Sequence, residues 1–212
     1  MNKKVLIPVI SGIAITIVIA VLMIPTSEEA ESEAESETLS ISYAETNKEL
    51  KSILETNNIS MSSALKLNGS SIQKYCTFFA DEATQNAIKY CTSTELLDSD
   101  GGYLGNIHMV GTSGSPRFVI GVIQADPITS QLDEIKIIYQ TMIESIVCEC
   151  WEEKKPGGFE SVSDWIDAAN AHHLEAKRIT SKSEISGLTP KDILLEITTN
   201  TEGYLWKFIV PN

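Results

Sequence analysis

The residues with the most chemical capacity are cysteines and histidines. Cys148-Glu149-Cys150 places two thiols within three residues, and His172-His173 adds two imidazoles. Two thiolates and two imidazoles make a complete tetrahedral zinc set. Two features weigh against that chemistry. C-x-C lacks the two-residue spacer usual in zinc sites, and positions i and i+2 of a helix point about 200° apart. Outside the cell an even number of cysteines more often means disulfides, so a structural use is expected here: at most one bond between two helices, with the cysteines left over as buried thiols or paired with another chain. His172-His173 falls near the end of an expected helix, where partial positive charge suits the dipole. One ring is expected beside Trp165 and the other in water. Cys148, Cys150, His172 and His173 therefore stand only as weak metal candidates. No metal, cofactor or catalytic residue is expected.

The pairing of the cysteines follows from the elements that carry them. Ile72, Cys76, Phe79, Ala83, Ala87 and Cys91 recur at spacings of three and four, which predicts one helix from Ser70 or Ser71 to about Thr92. In such a helix Cys76 and Cys91 lie about 22 Å apart at 1.5 Å rise per residue. A disulfide requires Cα atoms within about 7 Å, so these two are not expected to bond to each other. The expected link runs from Cys150, on the apolar stripe of its own helix, to Cys76 or Cys91. It would stabilise the fold by about 2–4 kcal/mol. The alternative is four reduced thiols filling the core.

Three other stretches carry weaker signals. Asp98-Ser-Asp100-Gly101-Gly102 begins like a calcium loop, but Gly102, Tyr103 and Met109 stand where an EF-hand needs Asp or Asn, Gly and Glu. It reads as a polar turn. Gly111-Thr-Ser113-Gly-Ser115 lacks the second glycine of a nucleophile elbow and joins two strands, so it reads as a loop. Asn58-Ile-Ser60 and Asn68-Gly-Ser70 are N-x-S sequons, making Asn58 and Asn68 candidate glycosylation sites. His108 lies in an expected strand, sharing a face with Asn106 and Val110.

The remaining elements can be placed by period and punctuation. Leu50, Ile53 and Leu54 predict a helix over Ala44–Glu55. Tyr103–Val110 and Arg117–Ala125 flank a Gly/Ser/Pro loop and predict a hairpin, its second strand apolar on both faces and therefore central. Ser130-Gln-Leu-Asp133 has the form of a capping box and predicts a core helix running to about Lys154. Ser161-Val-Ser-Asp164 starts a fourth helix, with Trp165, Ala169, His172 and Ala176 on one side. A short strand follows at Arg178–Ser181. Asp192–Thr199 and Tyr204–Val210 form a last hairpin. Pairing Thr199 with Tyr204 sets Ile197 opposite Trp206, Leu195 opposite Phe208 and Glu196 opposite Lys207. The class is α+β, an antiparallel sheet of about 4–5 strands packed against helices on one face.

Val5–Ile24 runs twenty residues without a charge, about 30 Å as a helix, and is expected to cross a membrane. It exceeds a signal-peptide core, and Ile24-Pro-Thr-Ser-Glu28 offers no A-x-A cleavage site. Lys3 and Lys4 precede it, so residues 1–4 are expected in the cytoplasm, residues 5–25 in the bilayer and residues 26–212 outside. Residues 26–40, rich in Ser and Glu, read as a repelling, solvated stalk, and residues 41–212 as one extracytoplasmic domain. Net charge is −13. A surface of that sign repels phosphate backbones, so nucleic acid is excluded as a partner; the lipid bilayer is the one expected partner, and a protein partner is unspecified.

A strand pair, a helical middle and three further strands, over about residues 70–210, resemble the element order of PAS-like and Cache extracytoplasmic sensor domains. In those families a long helix often follows the first membrane span. A Cache receptor continues into a second span and a signalling module, whereas this sequence ends at Asn212. The resemblance therefore implies a small-ligand sensor subunit that signals through a partner. Three function classes follow: a membrane-anchored, non-enzymatic interaction or binding module, which the missing catalytic motif favours; the Cache-like sensor; and a thiol- or metal-dependent enzyme built on Cys148, Cys150 and the histidines.

Overall fold

A computed structural model describes residues 41–212; the expected anchor at 5–25 and stalk at 26–40 lie outside the described residues. The chain runs α1 (Tyr43–Thr56), β1 (Ser60–Met61), β2 (Leu65–Leu67), α2 (Ser70–Tyr75), α3 (Glu82–Ala87), β3 (Tyr90–Leu97), β4 (Tyr103–Gly111) and β5 (Pro116–Ala125). It continues through α4 (Leu132–Ile146), α5 (Trp151–Lys154), α6 (Val162–Ala176), β6 (Thr180–Ile185), β7 (Ile193–Asn200) and β8 (Gly203–Pro211). All pairings are antiparallel, in the order β1-β3-β4-β5-β8-β7-β6, with β2 also on β3. The α+β class holds, but the sheet has eight strands rather than 4–5. The surplus comes from β3, expected as helix, and from two short pieces that share its outer edge.

The correction at β3 has a local cause. The expected helix from Ile72 to Cys91 is broken into two short helices and a strand. α2 ends at Tyr75, and Asp81 caps a new helix by accepting the Thr84 N–H at 2.7 Å. Thr92 and Thr94, β-branched residues, then pair with β4. The chain doubles back, which brings the Cα atoms of Cys76 and Cys91 to 6.6 Å, and the two are disulfide-bonded. Cys148 bonds Cys150. The expected link from Cys150 to Cys76 or Cys91 is thus replaced by two local bonds. The second also explains why α4 ends at Ile146 instead of Lys154: side chains two apart on a helix diverge, so the chain leaves the helix before the pair can close. No capping box starts α4; its N-cap is Gln131, in the left-handed region at φ 59°.

The short strand expected at Arg178–Ser181 lies instead at Thr180–Ile185; three other local signals hold. Ser161 and Asp164 cap α6 reciprocally. The last hairpin pairs Thr199 with Tyr204, Ile197 with Trp206, Leu195 with Phe208 and Glu196 with Lys207, as expected. β5 is central, between β4 and β8.

The two faces of the sheet differ. Helices α1, α4 and α6 cover one face over a core that includes Val119, Ile123, Trp206 and Phe208. Tyr139 of α4 lies over the sheet there. Its ring stacks on Phe208 at 4.5 Å, and its hydroxyl donates to the Trp206 carbonyl at 3.1 Å. Gly121 provides the seat: a Cβ at that position would stand 2.9 Å from the Tyr139 ring and 3.0 Å from the Met142 sulfur. Alternate residues of the same strands face the other way. Phe118, Ile120, Val110, Cys91 and Ile209 form a second, smaller core under Ile72, Cys76 and Ile88. That cover is only the α2–α3 segment, tied to β3 by the Cys76–Cys91 bond. The rest of this face carries polar side chains. Glu196 of β7 bridges Lys207 of β8 at 2.6 Å and Lys182 of β6 at 3.3 Å.

Candidate ligand cleft

The border between the covered and open parts of the second face holds a cleft of about 380 Å³. Leu65 and Leu67 of β2 and Tyr75 at the end of α2 form its apolar side. Ser93 of β3 and Asn106 and His108 of β4 are its polar side. The pleat assembles the polar set. Asn106 and His108 are two apart on one strand, and Ser93 lies directly opposite His108 across the ladder.

The hydrogen bonding of the set is incomplete. Asn106 Oδ1 accepts from the Tyr103 hydroxyl, and Asn106 Nδ2 reaches Ser93 Oγ at 3.4 Å, a long contact. His108 packs against Phe78, ring centroids 4.7 Å apart, and its Nδ1 is buried without a partner. Burial pushes its pKa down to about 4, so the ring is neutral at pH 7. A buried polar atom left unpaired costs about 1–3 kcal/mol; the other ring nitrogen, Nε2, also has no partner but is not sealed. The rim is unusually apolar. Leu65 is 62% exposed, Tyr75 55% and Tyr103 56%. Among the described residues only Leu174 and Ile179 also present large apolar side chains so openly, and they lie elsewhere.

The sequence-derived candidates fare differently. Cys148 and Cys150 are bonded to each other, so neither offers a thiolate, and no group of three or more metal-ligating side chains forms among the described residues. His172 is exposed, while His173 is buried; the expected stripe through His172 is rotated by one residue. His173 has both ring nitrogens engaged, Nδ1 with Ser181 Oγ at 2.8 Å and Nε2 with Thr199 Oγ1 at 3.0 Å. Burial, and then His172, lower its pKa. A Ser-His pair invites comparison with a nucleophile and its base. Here, however, the second nitrogen meets a threonine, where a carboxylate would be needed to stabilise an imidazolium. We read His173 as a satisfied core histidine.

Asp98 organises its own turn, Oδ1 accepting from the Asp100 N–H at 2.9 Å and the Gly102 N–H at 2.7 Å. Gly111–Ser115 is the β4–β5 loop. Asn58 and Asn68 are both exposed, in the turns after α1 and before α2.

Sequence reasoning placed Asn106 and His108 on one face but missed their partners. Ser93 falls just past the helix expected to end near Thr92. The β-branched run around it, Thr92 and Thr94, was the available strand signal. Leu65 and Tyr75 carry no local signal at all, because only tertiary packing brings them to His108. No protein-family model, curated protein or solved structure matches the chain, so the geometry stands alone.

Proposed function

We propose that the protein is a single-pass, externally displayed binding module with no chemistry of its own. Residues 5–25 would hold it in the bilayer, residues 26–40 would space it from the surface, and residues 41–212 would bind through the His108 cleft. One observation carries the binding reading: a concave site with an apolar rim is backed by polar side chains with unused hydrogen-bonding capacity, Ser93, Asn106 and Nε2 of His108. The extracytoplasmic placement is supported by the cysteines. All four are spent in two disulfides, a pattern typical of oxidising compartments. It is also supported by the charge-free run after Lys3 and Lys4.

Because no native thiol is free, an introduced one can be read without background. Ser32→Cys in the full chain is expected to react with a membrane-impermeant maleimide on intact cells as completely as after lysis. Reaction only after lysis would place the domain inside and contradict the topology.

A further inference from the structure

We infer that the His108 cleft takes an uncharged aromatic ring compound bearing a carboxamide-like group, one hydrogen-bond acceptor beside one donor. The inference rests on the cleft reading above and adds the chemistry of the ligand.

Three observations select this class. The first is size: about 380 Å³ is near the lower end of small-molecule pockets, roughly 300–1,000 Å³, which suits one or two fused rings. The second is charge. No ionised side chain lines the cleft; its walls are Leu65, Leu67, Tyr75, Ser93, Asn106 and His108. An ion entering it would lose hydration with no counter-charge to replace the water. Glu95, opposite Asn106 on the same face, repels an anion further; it is exposed and outside the lining, where water screens its pull on a cation. The third is the unused hydrogen-bonding capacity. Asn106 Oδ1 is taken by Tyr103, and Ser93 Oγ accepts from Asn106. What remains is the Ser93 hydroxyl proton and the second Asn106 N–H, both donors, together with His108 Nε2, which has no partner and, unlike Nδ1, is not sealed. Neutral imidazole has one acceptor and one donor nitrogen, so Nε2 presents a lone pair or an N–H according to the tautomer, and a group with both a donor and an acceptor meets either. A carboxamide satisfies the whole set, its carbonyl accepting from Ser93 and Asn106 and its N–H donating to a bare His108 Nε2, or its carbonyl accepting from Nε2–H as well. The ring then lies between Leu65, Leu67 and Tyr75, where aromatic and aliphatic walls favour a flat apolar body.

Three probes with one ring and three charges separate the possibilities: 2-naphthamide, 2-naphthoate and 2-naphthylmethylammonium. Each is titrated calorimetrically into the full chain in detergent micelles, and into its His108→Phe and Asn106→Leu variants. The amide is expected to bind at least about tenfold more tightly than either ion, and each variant to weaken it about tenfold, the loss of one to two hydrogen bonds. Equal or tighter binding of the anion or the cation, sensitive to both variants, overturns the uncharged class while leaving the site in place. Failure of all three probes at millimolar concentration, or binding that both variants leave unchanged, overturns the site and with it the binding reading. Thermal unfolding of each variant is followed in parallel. If His108→Phe is unfolded, Asn106→Leu and Ser93→Ala decide the result.

Discussion

His108 couples the cleft to stability, and acid should expose that coupling. In the unfolded chain the imidazole titrates near 6.5, whereas burial in the folded protein holds it at about 4. Above pH 6.5 both states are neutral at this position and its full contribution is present. As pH falls from 6.5 toward 4, the unfolded chain takes up the proton first, so folding loses free energy across that window. Integrated from pH 7.5 to 4.5, the loss is about 2–3 kcal/mol, a large part of the stability of a domain this size. Glu196 works in the same direction, because Lys207 and Lys182 outweigh its burial and keep its pKa low. A total acid effect would therefore mix several groups. Comparison with His108→Phe removes the ambiguity, since Phe keeps a ring against Phe78 and cannot titrate. Urea unfolding of residues 41–212, which carry both cores, is measured for the two proteins at pH 7.5 and 4.5. The native protein should lose about 2–3 kcal/mol more than the variant. Equal losses, or a His108 proton resonance titrating near 6.5, would refute the burial argument and the reading of Nδ1 as an unpaired interior atom.

Gly121→Ala should destabilise by about 1–3 kcal/mol, because the added methyl meets Tyr139 and Met142 in a packed interior; an unchanged urea midpoint would show that α4 can lift at little cost. Reducing or replacing the Cys76–Cys91 pair, fifteen residues apart, should cost about 3 kcal/mol, read by non-reducing peptide mapping and thermal unfolding; a free thiol at either position in the native protein would count against the fold of the α2–α3 segment. Glu196→Gln should cost about 1–2 kcal/mol, since Lys207 is left half-buried without its counter-charge; the effect should shrink on protonation of Glu196 in acid, and an acid-independent difference would contradict the ion-pair origin.

What the sequence made legible was local. Ser161 and Asp164 cap α6 through bonds three residues apart, and the last hairpin pairs through alternation on both sides of a two-residue turn. These need no distant partner, so spacing alone specifies them. Cys91 shows the opposite case. It continues a helical stripe from Ile72 in the sequence, yet the break at Cys76–Asp81 and the β-branched Thr92 and Thr94 turn it into a strand residue. An apolar period over short segments does not distinguish one long helix from two short ones and a strand. The disulfide pairing was lost with that element, since its exclusion rested on the continuous helix. The cleft was half legible: strand alternation put Asn106 beside His108, but Leu65 and Tyr75 reach them only through the packing of β2 and α2. His173 rather than His172 is buried because α6 is set by Trp165 and Ile166 against the sheet, one residue away from the stripe that composition suggested.

The central claim is that this domain binds at the His108 cleft. Backbone amide shift mapping of residues 41–212 against a mixed library of charged and uncharged aromatic fragments tests it most directly. The largest shifts are expected to fall together on Tyr75, Ser93, Asn106 and His108, and to vanish in His108→Phe. Shifts gathered instead around Ser181 and His172, where a second cleft of about 170 Å³ lies, or scattered without a centre, would contradict it.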